Sequence, residues 1–218
     1  MPRNLTLVLL AAFALLALLV LTDAVQTSFV KLGVPRGMVT FVMVASVLGS
    51  AINVPLWERS AGLARGQVWR IGGFLYYQPP HVERQLVAVN VGGAVIPVLI
   101  SLWLLGEAPF WKIVAATVAV AVVCHATARP VPGRGIQMPL IVAPLTSAVL
   151  APLLTLNAGD SLQAAPIAYV AGSMGTLVGA DLLNLRRLGE VGEGVMAIGG
   201  AGVFDGVFLV GLVAAFIA

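Results

Sequence analysis

Two aspartates, Asp181 and Asp205, stand in the last two apolar stretches of the chain, PIAYVAGSMGTLVGADLLNL and EGVMAIGGAGVFDGVFLVGLVAAFIA, each among glycines. A carboxylate near the centre of a bilayer costs about 2.5–3.5 kcal/mol on insertion scales, and it usually faces a bundle interior or a water-filled cavity. The whole chain has only nine acidic residues, so two in consecutive apolar stretches need a chemical reason. Two carboxyls sharing one site cannot both ionise easily, and such a pair holds one proton near neutrality. It can hydrolyse an amide, one carboxylate activating water while the other protonates the carbonyl oxygen. It can equally serve as a proton relay or cation site in a transporter, or as polar glue between packed helices. Physical chemistry alone leaves the three open.

The elements that must position these groups follow from composition. Of 218 residues, 60% are hydrophobic and 10% charged, with a mean hydropathy of +1.02. These values describe an all-α, polytopic membrane helix bundle, with residues 1–218 as one integral membrane domain. A sequence pI near 9.5 raises the question of nucleic acid. The basic residues are scattered over short loops, however, and the lipid bilayer accounts for them as a partner. One cysteine, Cys124, excludes an internal disulfide and any cysteine-based metal cluster. Only His81 and His125 offer imidazoles, without HExxH-like spacing, and no phosphate loop or dinucleotide fingerprint occurs, so neither metal nor cofactor is expected.

Seven spans can be cut from the apolar runs at about 5–22, 38–57, 85–105, 110–128, 137–156, 165–185 and 194–217. The first lacks an A-x-A cleavage site and reads as a retained helix. Pro35, Pro109, Pro139 and Pro166 precede or open spans, whereas Pro97, Pro144 and Pro152 inside spans predict kinks or local unwinding. Nine of the twelve Lys and Arg residues fall on one side, predicting a cytoplasmic N-terminus and an outer C-terminus. Residues 58–84 then form a cytoplasmic loop. Within it VWRIGGFLYY predicts a short hairpin or an interfacial segment with Trp69, Tyr76 and Tyr77 at headgroup depth.

Polar and small residues recur at helical spacing. Ser46, Gly49, Ser50 and Asn53 share one face, and Asn90, Gly93, Pro97 and Ser101 share another. Such stripes face protein or a cavity rather than lipid, as helix glue or as a site with freed backbone groups. GxxxG pairs occur at Gly175/Gly179 and Gly202/Gly206 and offer faces for close packing or a homo-oligomer. At 100° per residue Asp181 lies almost opposite the Gly172/Gly175/Gly179 face with Asn184 near its own side, and Asp205 lies about 60° from Gly202. A turn centred on Val191-Gly192 puts the two aspartates within about three residues, or ~5 Å, of equal depth. Asn184, Asn90, Asn53, Gly179, Gly202 and Gly206 are therefore the supporting polar or backbone-approach positions beside the candidate catalytic pair.

The strings INVPLWE (52–58), VNVGGAVIP (89–97), AYVAGSMGTLVGADLLNL (168–185) and IGGAGVFDGVFL (198–209) resemble an uncharacterised family of prokaryotic membrane proteins, domain of unknown function 1614. That resemblance implies an integral protein of a prokaryotic cytoplasmic membrane and carries no activity. Gly179-Ala180-Asp181 and Gly202-Val203-Phe204-Asp205-Gly206 are more loosely similar to intramembrane aspartyl proteases of the presenilin and signal-peptide-peptidase type. Those place one aspartate in each of two consecutive helices, the second in GxGD, with a Pro-Ala-Leu element in a later helix. This chain has no strict GxGD, and Ala143-Pro144-Leu145 or Ala151-Pro152-Leu153 would have to replace the proline element from an earlier span. The likeness implies a transmembrane peptide as substrate; the transporter alternative implies an ion.

Overall fold

In the computed structural model, residues 23–64, 67–71, 74–78, 81–131, 135–156, 161–191, 194–200 and 206–218 are described. Helical residues 23–31 lead to α1 (Arg36–Ser50), which is followed by four strands, β1 (Asn53–Ala64), β2 (Gln67–Ile71), β3 (Phe74–Gln78) and β4 (His81–Asn90). A π-helical turn (Val91–Val95) opens α2 (Ile96–Leu104), and α3 (Phe110–Thr127) comes next. The short strands β5 (Arg129–Val131) and β6 (Gly135–Gln137) precede α4 (Val142–Leu154) and α5 (Ala164–Thr176). A second π turn (Leu177–Asp181), a 3-10 stretch (Leu182–Glu190), β7 (Gly194–Ile198) and α6 (Gly206–Ile217) complete the order.

The protein is mostly helical, and α5 is its axis. Every residue of α5 except Met174 is buried, as expected of a helix that is apolar all round. Its small residues let neighbours approach closely. A Cβ on Gly175 would stand 2.7 Å from the Val120 side chain, and one on Gly179 would run into the backbone of Ala121 in α3. Gly172 meets Ser147 of α4 and Gly211 and Ala214 of α6. The Gly175/Gly179 motif is thus occupied within the chain by α3. Among the described residues, two helical stretches, Phe110–Thr127 and Ser161–Arg187, are long and apolar enough to cross a membrane by length and composition.

Three of the expected spans are not continuous helices. α1 stops at Ser50, and residues 53–57 belong to β1; residues 85–90 belong to β4; residues 194–198 form β7. β1 pairs antiparallel with β4 from Asn53↔Asn90 to Ala64↔His81, and β7 pairs parallel with β4 from Gln85↔Gly194 to Val89↔Ile198. The fold is therefore helical with an inserted three-stranded sheet, not all-α. Runs such as QLVAVN and GVMAI are short, apolar and rich in β-branched residues, and length alone separates a buried strand from a helix turn there. The hairpin expected in 58–84 is present: β2 pairs with β3, Trp69 opposite Tyr76. Of the inner prolines, Pro97 sits in the first turn of α2 directly after the π turn, and Pro152 lies inside α4. The expected first span, 5–22, lies outside the described residues.

The two polar stripes meet each other. Gly49 of α1 faces Gly92 at van der Waals range, and a Cβ on Gly92 would enter the backbone of Ser46 and Ser50. Ser46 donates its hydroxyl to the Gly92 carbonyl at 3.1 Å, and the Val91 N–H reaches the Ile52 carbonyl at 3.0 Å. Gly92→Ala should lower stability by about 1–3 kcal/mol, the usual cost of overpacking. Gly37→Ala, where a Cβ meets nothing within 4 Å, should be neutral or mildly stabilising. Thermal unfolding of the two variants in the same detergent checks both; equal melting points would refute the close approach at Gly92.

Candidate functional site

Asp181 ends the second π turn and is half-buried. Its Oδ2 accepts the Gly199 N–H at 2.7 Å. Gly199 and Gly200 have φ of +86° and +105°, so the chain leaves β7 through a left-handed turn suited to glycine. Space makes the same demand, since a Cβ on Gly199 would stand 2.7 Å from both the backbone N and the Cβ of Ala94. The Gly-Gly turn is thereby wedged between the first π turn and the carboxylate that ends the second. A main-chain N–H aimed at a carboxylate favours and orients the charged form.

Each π turn is tied by an asparagine. Asn90 accepts the Gly93 N–H at 2.8 Å and donates to the Ser50 carbonyl at 2.7 Å and to Asn53 Oδ1 at 3.0 Å. Asn184 is fully buried, and its Nδ2 donates to the Gly179 and Ala180 carbonyls, both at 3.0 Å. The same Nδ2 lies 3.2 Å from His125 Nδ1 at the end of α3. A π turn shifts the hydrogen-bond register from i+4 to i+5 and strands backbone groups at its ends. The two amides supply the missing partners.

Of the residues singled out by sequence, Asn53 and Asn90 are brought together, 3.0 Å apart at one end of the sheet. Asn184, Gly179 and Asp181 are brought together at the second π turn. Asp205 and Gly202 lie outside the described residues, and Gly206 opens α6. Placing Asp181 by 100° per residue does not carry through a π turn, and Asn184 reaches back to the π-turn carbonyls. His125, at the end of α3, contacts Asn184. Sequence reasoning missed Gly199 as the partner of Asp181; the signal was the Gly-Gly pair just after the short β-branched run.

The class defined by fold and site is a helical, strongly apolar protein with a half-buried carboxylate where two interrupted helices and a sheet converge. The chain belongs to the family described as protein of unknown function (DUF1614), whose sequence model matches residues 47–217. No curated protein and no solved structure matches it.

Asn184→Ala removes the donor to two buried carbonyls, and an unsatisfied buried acceptor costs about 1–3 kcal/mol. The variant should melt well below the native chain and exchange the amide hydrogens of 177–185 faster. Unchanged exchange in that segment would show that the amide does not hold the turn.

Proposed function

We propose that this chain is an integral membrane aspartyl endopeptidase in which Asp181 and Asp205 form the acid–base pair. The observation that carries this reading is the half-buried carboxylate of Asp181, held by the Gly199 main-chain N–H just after β7. Among the described residues β7 pairs only with β4; its Gly194 and Val195 are exposed, and Met196, Ala197 and Ile198, next to the Asp181 contact, are buried. An amide bond is attacked in an extended backbone, and the exposed start of β7 is where an added extended peptide could pair.

Support for Asp205 comes from the described residues around it in sequence. Gly200 precedes it by five residues in the turn that packs on the first π turn, and Gly206 begins α6 directly after it. α6 packs on α5, Gly211 meeting Tyr169 and Ser173 and Gly172 meeting Gly211 and Ala214, and the Phe216 carbonyl accepts from Lys31 Nζ at 2.9 Å. The seven apolar stretches and the Lys/Arg bias support membrane embedding with the N-terminus cytoplasmic and the C-terminus outside. So do the exposed Phe41, Leu48, Trp103, Phe110, Val122 and Leu140, too many large apolar groups for an aqueous surface.

A proton- or cation-coupled transporter would also place carboxylates among interrupted helices. Hydrolysis is favoured over it because Asn53 and Asn90, the polar groups such a path would recruit, are committed to each other and to the backbone at the first π turn.

The test uses Asp181→Asn and Asp205→Asn, near-isosteric changes that keep an acceptor for the Gly199 N–H. In purified, lipid-reconstituted protein each should lower cleavage of a transmembrane peptide by at least about 10²-fold, the lower range for loss of an acid–base group. Retained cleavage in either variant refutes the pair. Loss of ion-dependent uptake in liposomes, without any peptidase activity in the native chain, would establish the transporter instead.

A further inference from the structure

Hydroxyls in the helices of this chain commonly return to the carbonyl four residues back: Thr127 to Val123, Thr146 to Val142, Ser147 to Ala143 and Thr176 to Gly172. Ser101 of α2 and Thr117 of α3 do not. Their hydroxyl oxygens are buried and have no hydrogen-bond partner within the protein, and Ser101 is only 3% exposed. A buried hydroxyl in that position carries a desolvation cost. Of the stripe Asn90, Gly93, Pro97 and Ser101, the first two serve the first π turn. Ser101 has no task there.

Both residues line one cavity of about 230 Å³ between α2, α3 and α5. By the measure that a ~150 Å³ cavity takes up benzene, it has room for about nine carbon atoms. Val170 and Met174 supply the α5 wall. Leu102, Phe110, Val114 and Val118 also line it and are exposed, so the cavity opens on the apolar surface given above to lipid. An occupant therefore enters from the bilayer.

Chemistry narrows the occupant. Apart from Ser101 and Thr117 the lining side chains are apolar, and none is charged. A carboxylate or phosphate would meet no cation there, whereas a neutral carbonyl oxygen offers two lone pairs to two hydroxyl donors. Depth agrees. The turn joining α2 to α3 carries the exposed Glu107. Ser101 lies four residues before Leu105 and Thr117 seven after Phe110, about 6 and 10 Å in at helical rise. The headgroup layer is about 5–8 Å deep on each side of the hydrocarbon core, so the two hydroxyls stand where ester carbonyls join acyl chains.

We infer that this cavity binds the ester-linked end of one acyl chain of a bilayer phospholipid, with Ser101 and Thr117 donating to its carbonyl oxygen. The inference uses the membrane embedding proposed above and is independent of the peptidase assignment. The test titrates the detergent-solubilised full chain with dioleoylphosphatidylcholine or with its dialkyl ether analogue, which lacks ester carbonyls. Native mass spectrometry reads the bound lipid. The ester lipid should bind about tenfold tighter, the value of one to two net hydrogen bonds. This comparison needs no substitution. Lipid held in the groove of Phe29, Met38 and Trp103, whose lining side chains are all apolar, would not tell the two lipids apart. In Ser101→Ala/Thr117→Val the difference should vanish with the affinity for the ether lipid unchanged. Val114→Trp, which fills the cavity from its exposed rim, should remove the tight site. Equal affinity for the two lipids in the native chain overturns the inference, as does an ester preference that survives in the double variant. Displacement of the lipid by an isoprenoid quinone at lower concentration makes the quinone the occupant and overturns it likewise. Extraction of the native chain from vesicles by alkaline carbonate overturns the inference together with the membrane embedding. A chain that stays in the vesicles and shows no ester preference overturns the inference alone.

Discussion

A backbone group deprived of its helical partner in an apolar body must find another, and the architecture of this chain follows from that constraint. An unsatisfied N–H or C=O costs several kcal/mol where water is excluded. The chain nevertheless departs from regular helix at two π turns, Val91–Val95 at the start of α2 and Leu177–Asp181 at the end of α5. Each interruption is tolerated because an asparagine within a few residues reaches the freed groups: Asn90 takes the Gly93 N–H, and Asn184 supplies the Gly179 and Ala180 carbonyls. The strings VNVGGAVIP and VGADLLNL are thus two versions of one device, glycine to permit close approach and asparagine to settle the hydrogen bonds. Helices so interrupted are common at functional sites. Here both interruptions face the same Gly199.

Much of this was legible before any coordinates. The stripes Ser46, Gly49, Ser50, Asn53 and Asn90, Gly93, Pro97, Ser101 do meet, through Asn90 with Ser50 and Asn53, but they are not whole helical faces: Asn53 and Asn90 lie in β1 and β4. The VWRIGGFLYY hairpin was visible from its β-branched and aromatic composition around Gly72-Gly73. The strands were not. Residues 53–57, 85–90 and 194–198 are apolar runs of five or six residues, and a hydropathy window wide enough to find a helix merges them with their neighbours. The phase of Asp181 was also hidden, because a π turn leaves no mark in composition while resetting every angle downstream of it. Asp205 lies outside the described residues.

The relation between the two asparagines bears on which chemistry suits the site. Had Asn53 and Asn90 faced Asp181, three oxygen-bearing side chains would have converged on one point, as at a cation site. Their amides instead close on Ser50, Gly93 and each other, and Asp181 accepts a backbone N–H. A carboxylate oriented by the main chain at the end of a strand suits a reaction on another main chain.

The choice of a main-chain donor has a further consequence. A side chain that holds a carboxylate can be lost by one substitution, whereas the Gly199 N–H is retained in every residue except proline. What a substitution threatens is the shape of the turn: φ values of +86° and +105° and the absence of room beside Ala94 both require glycine. Position 199 therefore couples packing to chemistry. The contact that seats the turn against the first π turn is the same one that aims its N–H at Asp181, so the two interrupted helices and the carboxylate cannot be adjusted independently. A site built this way gains rigidity from the close-packed interior, and it explains why the glycines cluster around Asp181 rather than along the outer faces of the helices.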